Sequence, residues 1–282
     1  MDIKHRLTFC TGSDTSIIAF LELNKILYEY HSELDQLIVE ISESHPKWCD
    51  MKQYLDSYGL GEGIVSAVYT EQELESAQWF TCRSRWRWEY PQPKSNSFGY
   101  MKNVTYAENS VCTECGCGAK QIGNFRVRKS PVWNGKSFLM LNWENDILFL
   151  SDNAKNILCA SELSGFGFRD VSNTKGMEKI DNIHQLIVDK FTEPGLLTDN
   201  NEQIRETNVC AFCGAIKYAL SGRGISYQRS AFPNDADVVY CSEYFGVGHS
   251  ASRLLFVSHR FRDTVSRNNL DSQLVFEPVT LI

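Results

Sequence analysis

The sequence carries no basic excess: 28 lysines and arginines stand against 35 aspartates and glutamates, a formal net charge of −7 at pH 7. With a pI near 5.5, it lacks the cationic surplus that a general nucleic-acid binder brings to phosphates. Long hydrophobic runs are missing too. Ile17–Leu23 is short and contains Glu22, well under the roughly 20 apolar residues a membrane helix needs. Its upstream flank lacks a signal-peptide layout, so the expectation is a cytoplasmic protein with no membrane contact. Catalytic signatures are equally scarce. No His-Glu-x-x-His occurs, and His184, His249 and His259 sit in no nucleophile motif. The Gly-x-Gly of Gly246-Val247-Gly248 has no third glycine, and Gly222-Arg223-Gly224 lacks the Lys-Ser/Thr ending of a phosphate loop. Both read as plain turns, and the expected class is non-enzymatic.

Cysteine, by contrast, is plentiful at ten residues. In a reducing compartment these are not expected to form a disulfide framework. Two knuckles stand out: Cys112-Thr113-Glu114-Cys115-Gly116 and Cys210-Ala211-Phe212-Cys213-Gly214. Two cysteines separated by two residues, with a glycine after the second, let a tight turn aim both sulfurs at one ion. Zinc takes four such ligands in a tetrahedron. Each knuckle supplies one pair, so the economical reading joins Cys112, Cys115, Cys210 and Cys213 around one structural zinc per chain. Metal-free thiols, a redox pair, or separate metals completed by Cys117 or a histidine are the alternatives. The other six cysteines (Cys10, Cys49, Cys82, Cys117, Cys159 and Cys241) read as buried small hydrophobes.

The knuckles head a longer repeat. After the first come Ile147-Leu148-Phe149-Leu150-Ser151 and then Phe168-Arg169-Asp170-Val171; after the second come Leu254-Leu255-Phe256-Val257-Ser258 and then Phe276-Glu277-Pro278-Val279. The spacing after each serine is nearly equal, while the spacing before it is longer in the second copy, consistent with an insertion around Tyr240–Ser250. Each copy reads as β-rich with one serine-capped helix, over Asp152–Ser161 and Arg260–Arg267. Strands are expected at Asn124–Lys129, Phe138–Trp143, Ile147–Leu150, Phe168–Val171, His184–Phe191, Leu254–Val257 and Leu274–Val279, with a turn at Asn134-Gly135 and a loop over Glu193–Glu202.

Upstream, apolar residues from Ile17 to Ile38 recur at three- and four-residue spacing, which predicts a long helix over Ser13–Ile41 capped by Asp14, Thr15 or Ser16. A second helix is expected at Lys47–Tyr58, a strand at Ile64–Tyr69 and a short acidic helix at Glu71–Ala77. Strict alternation over Arg83–Tyr90 predicts a strand with Ser84, Trp86, Trp88 and Tyr90 on one face and Arg83, Arg85, Arg87 and Glu89 on the other. Pro91 and Pro93 would close it ahead of a polar loop at Lys94–Ser97. The predicted class is α+β: an α-rich N-terminal region (1–100) followed by two pseudo-symmetric β-rich repeats (101–180 and 181–282) joined at a four-cysteine zinc site.

With both knuckles in view, the chain resembles the bacterial double-CXXCG motif protein family. The matching residues are Cys112, Cys115, Gly116, Cys210, Cys213 and Gly214, with the Leu-Phe-Leu-Ser and Leu-Phe-Val-Ser segments that follow. The resemblance spans roughly Val111–Val279. Some members and look-alikes accompany bacterial polymorphic toxins as immunity proteins, so it implies a protein-binding role, with a toxin as partner. The alternative is a zinc-ribbon nucleic-acid binder, in which Arg83, Arg85 and Arg87 contact phosphates and Trp86 and Trp88 stack on bases.

Overall fold

The computed structural model describes residues 1–10, 16–89, 104–142, 144–175, 178–198 and 202–282. Asp14, Thr15, Tyr90, Pro91, Pro93, the Lys94–Ser97 loop, Trp143 and Asp199-Asn200-Asn201 lie outside them. The chain forms two units: Met1–Ser76 with Ser221–Gly224, and Ala77–Leu220 with Ile225–Ile282.

The first unit overturns the α-rich N-terminal expectation. Its frame is a four-stranded sheet in the order β2-β3-β1-β4, from β1 (Asp2–Cys10), β2 (Glu29–His31), β3 (Gln36–Ser42) and β4 (Ile64–Val68). Helix α1 covers only Ser16–Asn24. Lys25 then turns left-handed, and the Ile26 amide bonds back to the Leu21 carbonyl at 2.9 Å, ending the helix. Further on, the periodicity changes from helical to alternating. Leu37, Val39 and Ile41 are buried while Glu40 is exposed, and β-branched residues suit that half-buried pleat. The apolar stripe therefore belongs to a helix and a strand in succession. Helices α2 (Trp48–Ser57) and α3 (Glu71–Ser76) form where expected. Five α-helices are scattered among the described residues, in a chain dominated by strand.

Arg223, carried on the Ser221–Gly224 turn, pairs with Glu43 and with Glu62 at 2.8 Å. Buried His5 bonds the same Glu43 carboxylate at 2.9 Å and stacks on Trp48. Burial acts to raise the Glu43 carboxyl, but the bonds from His5 and Arg223 outweigh it and hold it below the usual range. This contribution is present above the ordinary carboxylate pKa and is lost as pH falls through the depressed one.

The second unit contains three sheets. Its strands are β5 (Trp79–Ser84), β6 (Arg87–Trp88), β7 (Arg126–Val127), β8 (Phe138–Leu141), β9 (Phe149–Leu150), β10 (Gly167–Asn173), β11 (Lys179–Ile187), β12 (Ile204–Val209), β13 (Ile216–Leu220), β14 (Ile225–Tyr227), β15 (Val238–Tyr240), β16 (Tyr244–Phe245), β17 (Leu255–Ser258) and β18 (Leu274–Leu281). Helices α4 (Asp152–Ala160) and α5 (His259–Arg267) each start at a serine. The Ser151 hydroxyl accepts from the Ala154 amide at 3.3 Å and the Ser258 hydroxyl from the Phe261 amide at 3.2 Å, which satisfies otherwise orphaned first-turn donors.

Two of the sheets correspond over five strands, with β6 added in parallel beside β8 at the edge of the first. One runs β6-β8-β9-β11-β10-β7 and the other β14-β18-β5-β17-β15. In the first, β8–β9, β9–β11 and β11–β10 are antiparallel and β10–β7 is parallel. In the second, β15–β17, β17–β5 and β5–β18 are antiparallel and β18–β14 is parallel. The register agrees as well: Gln185 lies between Phe149 and Arg169, as Thr81 lies between Phe256 and Glu277.

The central strands are exchanged. β5 precedes the first knuckle in sequence but sits in the sheet of the second; β11 precedes the second knuckle but sits in the sheet of the first. The expected α+β class, an α-rich N-terminal region followed by two β-rich repeats joined at a four-cysteine site, is corrected: strand outweighs helix, and the described helices are spread along the chain. Trp79 of β5 joins the core of Phe256 and Val279, while Ile183 of β11 joins that of Phe149 and Val171. The expected strand over Arg83–Tyr90 is also broken: β5 ends at Ser84 and β6 holds only Arg87–Trp88. Its alternation still governs burial, since Arg83, Arg85 and Arg87 are exposed while Ser84 is buried and Trp86 and Trp88 are partly buried.

Phe80 in β5 and Leu186 in β11 are fully buried. Truncating such side chains costs roughly 2–5 kcal/mol. Hydrogen exchange is expected to place the loss across the swap: Phe80→Ala speeds exchange in β17 and β18, and Leu186→Ala in β9 and β10. Loosening confined to each strand's own sequence half would contradict the exchange.

Candidate metal centre

Each knuckle is closed by its own backbone. The Gly116 amide bonds the Cys112 carbonyl at 2.8 Å and the Cys112 amide bonds the Cys117 carbonyl at 2.9 Å. In the second knuckle, Gly214 bonds Cys210 and Cys210 bonds Ala215, each at 2.9 Å. Gly116 and Gly214 both have positive φ, 76° and 72°, a conformation open to glycine at little cost. At Gly116 there is a second demand: a Cβ there would lie 2.2 Å from the His249 carbonyl oxygen.

The two turns bring their sulfurs together. Cys112 Sγ lies 3.9 Å from Cys210 Sγ, and Cys115 Sγ lies 3.5 Å from Cys213 Sγ. All four sulfurs fall within 4.8 Å of one another. Metal–sulfur bonds of ~2.3 Å in a tetrahedron require sulfurs about 3.8 Å apart. The set is therefore spaced to hold one metal ion. Among the described residues, neither Cys117 nor a histidine belongs to it. Cys117 is buried and stands where the second knuckle has Ala215, offering a carbonyl rather than a sulfur to the turn.

The thiols are unlike one another. The amides of Cys213 and Phe212 point at Cys210 and bring it down to about 7. Burial pushes Cys115 up to about 11. At Cys213 the Ala215 amide acts downward, but the crowding thiols prevail and push it up to about 12. Four negative sulfurs at this spacing repel; a divalent cation is what lets all of them ionise.

A brace covers the first knuckle. The extra length of the second repeat lies between β15 and β17, where β16 pairs in parallel with β13 and the chain then loops through Gly246–Ser250. His249 Nδ1 lies 3.0 Å from the Thr113 carbonyl, and the Gly118 amide donates to the Tyr244 hydroxyl at 3.2 Å. Lys217, on β13, is buried and donates through Nζ to the carbonyls of Cys115 and Ser250 at 2.9 Å each and to that of Gly248. The Gly-x-Gly segment is thus a strap over the metal centre. The sequence reading missed Lys217, although its inward position on β13, beside buried Ala219 on the same face, marks it as unusual for a lysine.

The other residues singled out from sequence have structural roles. His184 Nε2 lies 2.6 Å from Asp152, tying the exchanged β11 to the first turn of α4. His259 Nδ1 lies 2.9 Å from the Ala77 carbonyl. Arg83 pairs with Glu277 at 2.9 Å, and Arg87 donates to the Leu141 and Glu144 carbonyls. Trp86 meets Trp133 edge-on under Lys136, and Trp88 packs on the first sheet's core. Among the remaining cysteines, Cys82 and Cys241 are buried like Cys117, but Cys10, Cys49 and Cys159 are exposed, against expectation. No helix among the described residues is long and apolar enough to cross a membrane. No protein-family model, curated protein or solved structure matches the chain.

Metal uptake must displace the protons of the raised thiols. Affinity for a divalent ion, measured by chelator competition between about pH 6 and 8, is expected to fall as the solution is acidified. A pH-independent affinity would contradict thiolate ligation.

Proposed function

We propose that this chain is a non-enzymatic protein-binding protein held together by one structural zinc ion, with a bacterial toxin as the partner its double-CXXCG resemblance implies. One observation carries the metal half of the reading: every ligand in the cluster is a cysteine sulfur. Four soft thiolates at tetrahedral spacing favour zinc among the common divalent ions. They also leave no open coordination position for a substrate, which assigns the ion a structural role.

The binding half is supported by the surface of the first unit. Leu23, Leu27 and Leu34 are exposed at 83%, 88% and 66%, in a stretch that also exposes Glu22, Glu29 and Glu33. Large apolar side chains held in water beside carboxylates suit a protein partner with apolar and basic groups. The nucleic-acid alternative is weakened, because Arg83 and Arg87 are engaged within the chain and Trp86 and Trp88 are partly buried against the first sheet's core.

Elemental analysis is expected to give about one zinc per chain, and none in the Cys112→Ser/Cys210→Ser double variant. Zinc retained by that variant would refute the shared site. Affinity purification from the native host is expected to recover a protein partner. Leu27→Asp with Leu34→Asp should abolish that recovery without altering zinc content. Recovery of nucleic acid alone, or unchanged yield from the aspartate variant, would count against protein binding.

A further inference from the structure

Lys217 poses a problem that the metal centre resolves. Its side chain is buried, with the residue 3% exposed, and its ammonium donates to three backbone carbonyls: Cys115, Gly248 and Ser250. These satisfy its hydrogens but leave its charge unbalanced. Among the described residues, no carboxylate forms an ion pair with it, and burying an unpaired ammonium is costly. The compensating charge lies next door. A divalent ion bound by four thiolates carries a net charge of about −2, and Lys217 bonds the backbone of one of the four ligands, Cys115.

We propose that Lys217 is the counter-ion of the metal–tetrathiolate cluster and a positioning residue that couples metal binding to closure of the Gly246–Ser250 strap. This rests on the metal-site reading above. The ammonium favours the negatively charged, metal-loaded cluster. The loaded cluster in turn makes the buried ammonium tolerable, so the strap whose carbonyls hold that ammonium closes over the first knuckle. His249 and Gly116 fix where it lands: His249 bonds the Thr113 carbonyl, and the absence of a side chain at Gly116 admits the His249 carbonyl. Four residues after Cys213, Lys217 leaves the second knuckle on β13 and reaches across to the first. It therefore senses both ligand pairs at once.

Three measurements test this. In Lys217→Met, zinc affinity by chelator competition is expected to fall roughly 10–100-fold, the range found for residues that support metal ligands; Lys217→Arg, which keeps the charge, should recover part of the loss. In chain loaded with iron in place of zinc, the ferric cluster gains one electron to become the more negative ferrous one. Removing the neighbouring positive charge should lower that reduction potential, a shift that a purely packing role would not produce. In the unaltered chain, hydrogen exchange at Gly246–Ser250 should quicken when zinc is withdrawn by chelation, a readout that needs no variant to fold. Wild-type zinc affinity in Lys217→Met, an unmoved potential, or strap protection indifferent to zinc would each overturn the proposal. A wild-type chain that binds no metal at all would instead overturn the metal site itself, so the two failures are distinct.

Discussion

The two larger sheets of the second unit depend on the exchange of β5 and β11. A central strand has both edges paired, so withdrawing it leaves the strands on either side without partners and uncovers the core beneath. Because each sequence half lends its central strand to the other's sheet, neither can complete its own hydrogen bonding or core alone. Trp79 completes the core around Phe256 and Ile183 the one around Phe149. The halves are therefore interlocked before any metal is considered.

The knuckles add a second lock of a different kind. Strand exchange is held by backbone hydrogen bonds and apolar burial spread over many residues. The sulfur cluster concentrates its effect in four atoms that can all ionise together only beside a cation. Its asymmetry is informative. The second repeat carries extra chain between β15 and β17, and that extra chain is the strap lying over the first knuckle. The repeat is least regular where it serves the metal centre.

Legibility from sequence followed locality. The knuckles were readable because a Cys-x-x-Cys-Gly turn is specified within a few residues, and the helices after Ser151 and Ser258 because a capping serine acts on an amide three positions away. The long N-terminal helix was misread because the spacing through Leu34, Leu37 and Ile38 fits a helical stripe, while the buried set is Leu37, Val39 and Ile41, which alternates. β1, with Ile3, His5 and Leu7 inward, was overlooked because a histidine interrupts its apolar face; that histidine is buried by its bonds to Glu43 and Glu62. Sheet partners were beyond reach. Nothing local in Trp79–Ser84 specifies pairing with β17 and β18 near the other end of the chain. Lys217 went unnoticed because its role is defined by carbonyls from two distant loops.

The second unit is interlocked by exchanged strands and carries four cysteine sulfurs spaced to hold one metal ion. On the surface of the first unit, Leu23, Leu27 and Leu34 are exposed beside Glu22, Glu29 and Glu33. The most direct test of the central claim is X-ray absorption at the zinc edge of the purified full chain. The expected spectrum is a single shell of four sulfurs at ~2.3 Å. A shell containing nitrogen or oxygen, or zinc held by only two sulfurs, would contradict a site shared between the two knuckles.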